Sequence, residues 1–433
     1  MKGALQVASK RPDQKTYLKL LPYEEIRNRI IEAIAEQKLG YEAIPVDRAI
    51  GRVCAEVVKS RTDLPPRHEA AMDGYAINSA ETHRASESKP ASLSVQRHLY
   101  PDSGSRPPLR TGFACYTATG APIPTGADAV VKVEETRLNA GKIGITHPVE
   151  TWKNVFRRGE DFRKGQILFQ KGRVFNSADV ALLISCGRRT VTAYKTPRVG
   201  ILSVGDELTS LDSKDGNKKT INNYCNLVSG YLSEFGASAS SIGISKDREA
   251  DITRSIERAI DDFDILLTVG GSSVGIRDLT MDAVSSLKDS TVVFHGIRIV
   301  PIRPTGLVMV GKKPIVILPA NAISAALAFF LVVLPILNLF SGLPFEHRCP
   351  KVRASNVSAF RNDRPISALF LVTIEEKDGM YNSKSLGWGS NLILNLSRAN
   401  AFVELAPNQK VAEGDEVVAR LLGSGEMTRI SSK

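Results

Sequence analysis

Between residues 197 and 340, short apolar runs alternate with amphipathic stretches, and this alternation limits the fold more than any other feature of the chain. Val199–Val204, Ser238–Ile244, Ile265–Val269 and Ile315–Leu318 read as strands; Ile265–Val269 is too short for a helix, and its Thr and Val favour a buried strand. Leu227, Val228, Tyr231, Leu232 and Phe235 line one face of a helix that stops at Gly236, and Ile252, Ile256 and Ile260 line another. Strands alternating with helices predict a parallel sheet covered by helices on both faces. Ligands of such sheets bind beyond the carboxyl ends of the strands. Three polar turns fall at those ends: Gly205-Asp-Glu207, Gly270 to Asp278, and Pro319 to Ser324.

The middle turn carries the densest chemistry. Gly270, Gly271, Ser272, Ser273 and Gly275 allow backbone N–H groups to approach an anion closely, and Asp278 follows just before a helical stretch at Met281. A phosphate and its Mg²⁺ suit that arrangement. A plain β–α turn accounts for the glycines equally well, because no fixed phosphate-binding signature is present.

Ile315 to Phe340 holds no charged residue and is long enough to cross a bilayer, but Pro319, Asn321, Ser324 and Pro335 interrupt it. It reads as a buried strand, a polar turn and a core helix. Residues 22–38 predict an amphipathic helix, with Pro22 and two acids at its start and isoleucines at 26, 30 and 34. Residues 60–147 are β-rich and Pro-rich, with a hairpin turn at Asn139-Ala-Gly141. Asp73 and Thr119 sit there in polar loops that, taken singly, read as turns. Asn176 and Asp179 can cap a helix that stops at Gly187. Residues 345–433 suggest a small all-β domain with a turn at Asp378-Gly379.

Five cysteines without a Cys-x-x-Cys pair read as free thiols in a reducing compartment, and six histidines without ligand spacing argue against zinc or iron. The start lacks the apolar core of a signal peptide, and the cytoplasm is the expected location. A net charge of +11 suits an anionic ligand, but no nucleic-acid motif accompanies it.

Ala71-Met-Asp-Gly-Tyr-Ala76, Thr119-Gly-Ala-Pro-Ile-Pro124 with Gly126-Ala-Asp-Ala-Val-Val131, Arg157-Arg-Gly-Glu-Asp161, Gly205-Asp-Glu-Leu208 and Gly270-Gly-Ser-Ser-Val-Gly275 occur in this order. Together they resemble the molybdopterin molybdenumtransferases, the MoeA family that includes the gephyrin E domain. The resemblance implies an α/β multidomain protein: a discontinuous linker and dimerisation domain (17–59 and 148–193), an inserted β-rich domain (60–147), a molybdopterin-binding α/β domain (194–341) and a C-terminal β-barrel-like domain (345–433). It also implies a homodimer whose clefts lie between the α/β domain of one subunit and the inserted domain of the other.

The family reaction inserts molybdenum from molybdate into adenylylated molybdopterin with release of AMP, assisted by Mg²⁺; tungstate is an alternative oxyanion, and a molybdopterin adenylyltransferase is an implied partner. The resemblance assigns Glu207 and Asp278 to metal or substrate handling, Asp73 and Thr119 to the facing half of the cleft, and Gly270, Gly271, Ser272, Ser273, Arg303 and Ser324 to substrate binding. Asp161 matches too, although Arg157 and Arg158 beside it offer a structural pairing.

Three stretches depart from the family. Its Lys-Pro-Gly-Lys-Pro reads Arg303-Pro-Thr-Gly-Leu307, so Gly306 replaces the second lysine, and Arg is not equivalent to Lys at an oxyanion. Its Leu-Pro-Gly-Asn-Pro-Val-Ser reads Leu318-Pro-Ala-Asn-Ala-Ile-Ser324. Its Asp-x-Asn pair falls on Thr220-Ile-Asn-Asn-Tyr224, where Asn222 or Asn223 can cap a helix but no carboxylate remains. Two readings follow: a working transferase, or a catalytically impaired paralogue that binds molybdopterin as a carrier or scaffold.

Overall fold

The structure is a computed structural model, and it describes residues 19–104, 108–212, 219–271, 279–387 and 393–423. Two compact units form. One, here the α/β unit, takes the chain up to Glu42, Gly51–Val53 and everything from Tyr194 onward; the other, the insert unit, takes Ala43–Ile50 and Cys54–Ala193.

Helix α1 (Tyr23–Ile34) opens the α/β unit, with Pro22 at its N-cap and Glu24 and Glu25 in the first turn. Ile26, Ile30 and Ile34 are fully buried along one stripe. Each contributes about 1.5–3 kcal/mol by leaving water. The Glu24–Arg27 and Glu25–Arg29 pairs on the outer face add only tenths of a kcal/mol each, about 0.2–0.5. Burial therefore decides where this helix lies.

In the insert unit, six strands make one sheet: β1 (Gly74–Ile77), β2 (Ala91–Leu99), β3 (Phe113–Thr117), β4 (Ala129–Lys132), β5 (Arg137–Asn139) and β6 (Lys142–Ile145). They lie in the order β4-β1-β3-β2-β6-β5, antiparallel except for β2 on β3. Ala140 and Gly141 both take positive φ between β5 and β6, the tight hairpin that Asn139-Ala-Gly141 predicts. Helix α2 (Ser177–Ser185) starts with a capping box, in which Asn176 accepts from the Asp179 N–H and Asp179 from the Asn176 N–H, and Gly187 follows it in the left-handed region.

The rest of the α/β unit runs β7 (Arg198–Val204), α3 (Tyr224–Glu234), β8 (Ser238–Ser245), α4 (Glu249–Ala259), β9 (Ile265–Gly270), α5 (Leu279–Ser285), β10 (Ser290–His295), β11 (Gly306–Val310), β12 (Lys313–Leu318), α6 (Ala322–Ala328) and α7 (Leu334–Phe340). The sheet order is β8-β7-β9-β12-β11-β10. The first four strands are parallel, as the alternation predicts, and β11 and β10 add an antiparallel edge. Side chains alternate between two cores. Val199, Ile201, Ile265, Leu267 and Val269 face α1, α3, α6 and α7; Leu202, Val204, Leu266, Ile315 and Ile317 face α4 and α5.

Between α6 and α7 the helix widens into a π turn at Phe329–Val333, just before Pro335, whose ring would clash with the Leu331 carbonyl in a regular helix. Pro335 also has no N–H to offer that carbonyl. The Tyr23 hydroxyl of α1 donates to it at 2.8 Å, and burial holds that phenol protonated well above the usual range. The whole stretch Ala322–Phe340 is apolar enough to cross a membrane but lies 94% buried inside the protein. It is a core helix.

Five C-terminal strands close into a barrel: β13 (Lys351–Asn356), β14 (Ser367–Lys377), β15 (Met380–Ser385), β16 (Ala401–Leu405) and β17 (Glu416–Leu421). β14 pairs with β15, β15 with β13, β13 with β17, β17 with β16, and β16 returns to β14. Ile299–Val300 adds to β14 in parallel, and Leu369, Leu371, Leu396 and Phe402 join the core of α6 and α7. Barrel and sheet thus share one core.

Replacing Tyr23 with Phe removes the donor to Leu331 and leaves a buried carbonyl short of a partner. We expect a loss of about 1–3 kcal/mol in denaturant unfolding of the full chain. Unchanged stability would show that the bond contributes nothing net.

Candidate functional site

The carboxyl ends of β7, β9 and β12 are adjacent because the three strands are neighbours in the sheet. Those ends therefore line one edge of the sheet, as the alternation implies. Gly205 and Glu207 follow β7. The exposed Glu207 carboxylate folds back so closely that a Cβ on Gly205 would lie 2.7 Å from Oε1. A side chain at position 205 would push this flexible carboxylate aside. Beyond it, the Asp206 N–H donates to Asp247 Oδ2 at 3.1 Å. The Tyr224 phenol is pushed up by burial and then by the Glu207 charge, and its hydroxyl donates to the Ala320 carbonyl at the end of β12.

Gly270 and Gly271 close β9 with φ of +103° and +65°. A Cβ on Gly270 would meet the Val204 carbonyl at 2.1 Å, and one on Gly271 would meet Thr280 Oγ1 at 2.3 Å. Strand packing therefore requires both glycines, whatever the loop binds. Ser272, Ser273 and Asp278 lie outside the described residues. Ser324 is buried at the start of α6, where Asn321 caps the helix by accepting from the N–H groups of Ile323 and Ser324.

Asn223 stands at the N-cap of α3 but makes no capping bond through its side chain. Asn222 instead donates to Ser203 Oγ at 2.8 Å, and its buried Oδ1 has no partner among the described residues. Arg303 is half-buried, and its Nε likewise lacks a partner among them. Gly306 is buried on β11, and a Cβ there would meet the end of Met281 at 2.7 Å. The flexible end of Met281 thus lies over the position that the resemblance matches to the family's second lysine.

A separate polar site lies in the insert unit. Asp73 Oδ1 accepts from the Thr119 N–H at 2.7 Å and from its hydroxyl at 2.8 Å. These two bonds, the backbone one first, hold the exposed Asp73 carboxyl below the usual carboxylate range, so it is anionic at neutral pH. The two loops that singly read as turns are joined by this pair. The offered pairing of Asp161 with its arginine neighbours is corrected: Arg157 lies by Glu160 and Arg158 binds Asp63 at 2.6 Å, leaving the exposed Asp161 to neither.

A hard oxygen donor such as Glu207 fits Mg²⁺ better than a softer metal. Among the described residues no cluster of three or more His, Cys, Asp or Glu side chains forms a metal site. Sequence reasoning missed the Ser203–Asn222 bond and the Tyr224 contact, since both depend on which loops the sheet order brings together.

Replacing Thr119 with Val removes one of the two donors to Asp73. The Asp73 carboxyl should then titrate at higher pH, with the backbone N–H retaining part of the depression. Carboxyl NMR titration reads this directly; an unmoved Asp73 would show that the hydroxyl does not stabilise the anion.

Comparison with known proteins gives the family. Residues 21–187 match the family model "MoeA N-terminal region (domain I and II)", and residues 200–339 match "Probable molybdopterin binding domain". A molybdopterin biosynthesis protein of Methanocaldococcus jannaschii is 31% identical over 325 residues, covering 72% of this chain and 79% of its own. A molybdopterin molybdenumtransferase of Haemophilus influenzae is 26% identical, over 92% of this chain and 98% of its own. The crystal structure of the molybdopterin biosynthesis moeA protein from Pyrococcus horikoshii OT3 superposes with a TM-score of 0.79 at 28% identity, over 93% of this chain and 100% of that one.

Proposed function

This chain belongs to the MoeA family of molybdenum cofactor biosynthesis proteins, and from that premise we propose that it is a molybdopterin molybdenumtransferase. It inserts molybdenum from molybdate, or tungsten from tungstate, into adenylylated molybdopterin with release of AMP. The observation that carries this reading is that Glu207, Gly270 and Ser324 lie at or just beyond the carboxyl ends of three adjacent parallel strands. A phosphoanhydride substrate needs close backbone approach, which the Gly270-Gly271 turn supplies, and a carboxylate beside it, which Glu207 supplies. Glu207 and Asp278 would hold Mg²⁺, and when bound the ion would offset the charge of the phosphates. Arg303 offers its guanidinium to an oxyanion.

The protein acts as a homodimer, in which the Asp73–Thr119 pair of one copy faces the strand-end cleft of the other. A molybdopterin adenylyltransferase supplies the adenylylated substrate.

Met281 packed over Gly306 favours a second reading. With the end of Met281 over that cation position, and with Asn222 in place of a carboxylate, the chain would bind molybdopterin as a carrier or scaffold without inserting metal.

Exchanging Glu207 for Gln keeps the shape and removes the charge. On the transferase reading it lowers AMP release roughly 100-fold or more while the far-UV spectrum and sedimentation coefficient stay those of the parent. Undiminished release by Glu207→Gln would overturn the role given to this carboxylate.

A further inference from the structure

Across the insert sheet, Tyr75, Tyr116 and His98 form one cross-strand row. Tyr75 on β1 stands opposite Tyr116 on β3, and His98 on β2 stands opposite Tyr116 from the other side. Tyr116 is the hub, with ring centroids 5.7 Å from Tyr75, 5.1 Å from His98 and 6.4 Å from Tyr100. These distances are those of interacting aromatic pairs.

A β-bulge makes the row possible. The register of β2 on β3 shifts between Val95 and Arg97. Before the bulge, Leu93 and Val95 face one core of the unit; after it, Leu99 faces the opposite one. The shift thus brings His98, rather than Arg97, opposite Tyr116. Bulges re-aim single side chains and are enriched beside functional sites.

The row also leads outward. Tyr75 is 6% exposed, Tyr116 is half-buried, His98 is exposed, and Tyr100 is 50% exposed. The backbone at Tyr100 is nevertheless held. Its N–H donates to Ser103 Oγ, the Ser103 N–H donates to its carbonyl, and Arg67 donates to the Pro101 carbonyl beside it. A ring carried on an anchored backbone has less freedom to lose on binding a flat partner. The row ends at the Asp73–Thr119 pair: Asp73 directly precedes β1, and Thr119 lies two residues beyond β3. The Asp73 charge also reaches Tyr116, raising its phenol after the larger effect of burial.

We propose that His98, Tyr100 and Tyr116 form a stacking surface for the flat, nitrogen-rich ring of the substrate, with Asp73 and Thr119 at its border. The anionic Asp73 repels phosphate, so this surface takes the ring end of the substrate. Adenine and pterin share the required chemistry. The proposal rests on the transferase reading for its substrate class.

The test measures binding of AMP and, separately, of 6-hydroxymethylpterin to the full-length protein and to Tyr100→Ala, His98→Ala and Tyr100→Phe, with thermal midpoints confirming folding. Stacking on one ring predicts about tenfold or more weaker binding of one probe by Tyr100→Ala and His98→Ala, with Tyr100→Phe close to the parent. The affected probe identifies the ring. Equal binding of both probes by parent and all variants overturns the stacking surface, as does a parent that releases AMP during metal insertion yet binds neither probe. A Tyr100-dependent ring affinity in a protein that inserts no metal sustains the stacking surface and removes the transferase reading instead.

Discussion

Ile315 to Phe340 carries no charged side chain, so neither its strand nor its helix has a face that water accommodates well. The α/β unit is built around that constraint. β12 takes a central place in the sheet, α6 and α7 lie beneath it, and α1, α3 and the barrel wall cover what remains. Burial supplies the energy, and hydrogen bonds correct the exceptions. Pro335 would leave a carbonyl poorly served in the interior, and the Tyr23 hydroxyl reaches it from a helix some three hundred residues away. The edge of the sheet that carries the polar turns is held in place by this packing.

Most of that scaffold was legible in the sequence, because strand and helix periods report which faces are buried. The four parallel strands, the capped α2 and the hairpin at Ala140-Gly141 all follow from local pattern. What an element packs against does not. Helix α1 shows an apolar stripe, but nothing local says that the stripe meets α7 and β10. The closure of the C-terminal strands into a barrel was legible only through family resemblance, since closure depends on one long-range pairing of β14 with β16.

The candidate site divides in the same way. Glu207 and the glycine pair could be read from a strand followed by small residues. Asn222 turning to Ser203, Met281 lying over Gly306, and the bulge that re-aims His98 could not, because each is set by register and packing between distant segments. The glycines at 270 and 271 are also a caution for motif reading. Their backbone conformations and contacts with Val204 and Thr280 require glycine before any ligand is considered.

The two readings of function differ over one chemical event, the cleavage of the adenylyl bond coupled to metal loading. The most direct test mixes the purified full-length protein with adenylylated molybdopterin, Mg²⁺ and either molybdate or tungstate, and follows AMP and metal-loaded cofactor together. The transferase account predicts that the two products rise in step with at least one oxyanion. Tight retention of the adenylylated pterin, with no AMP released under either oxyanion, would contradict it and leave the protein a carrier or scaffold.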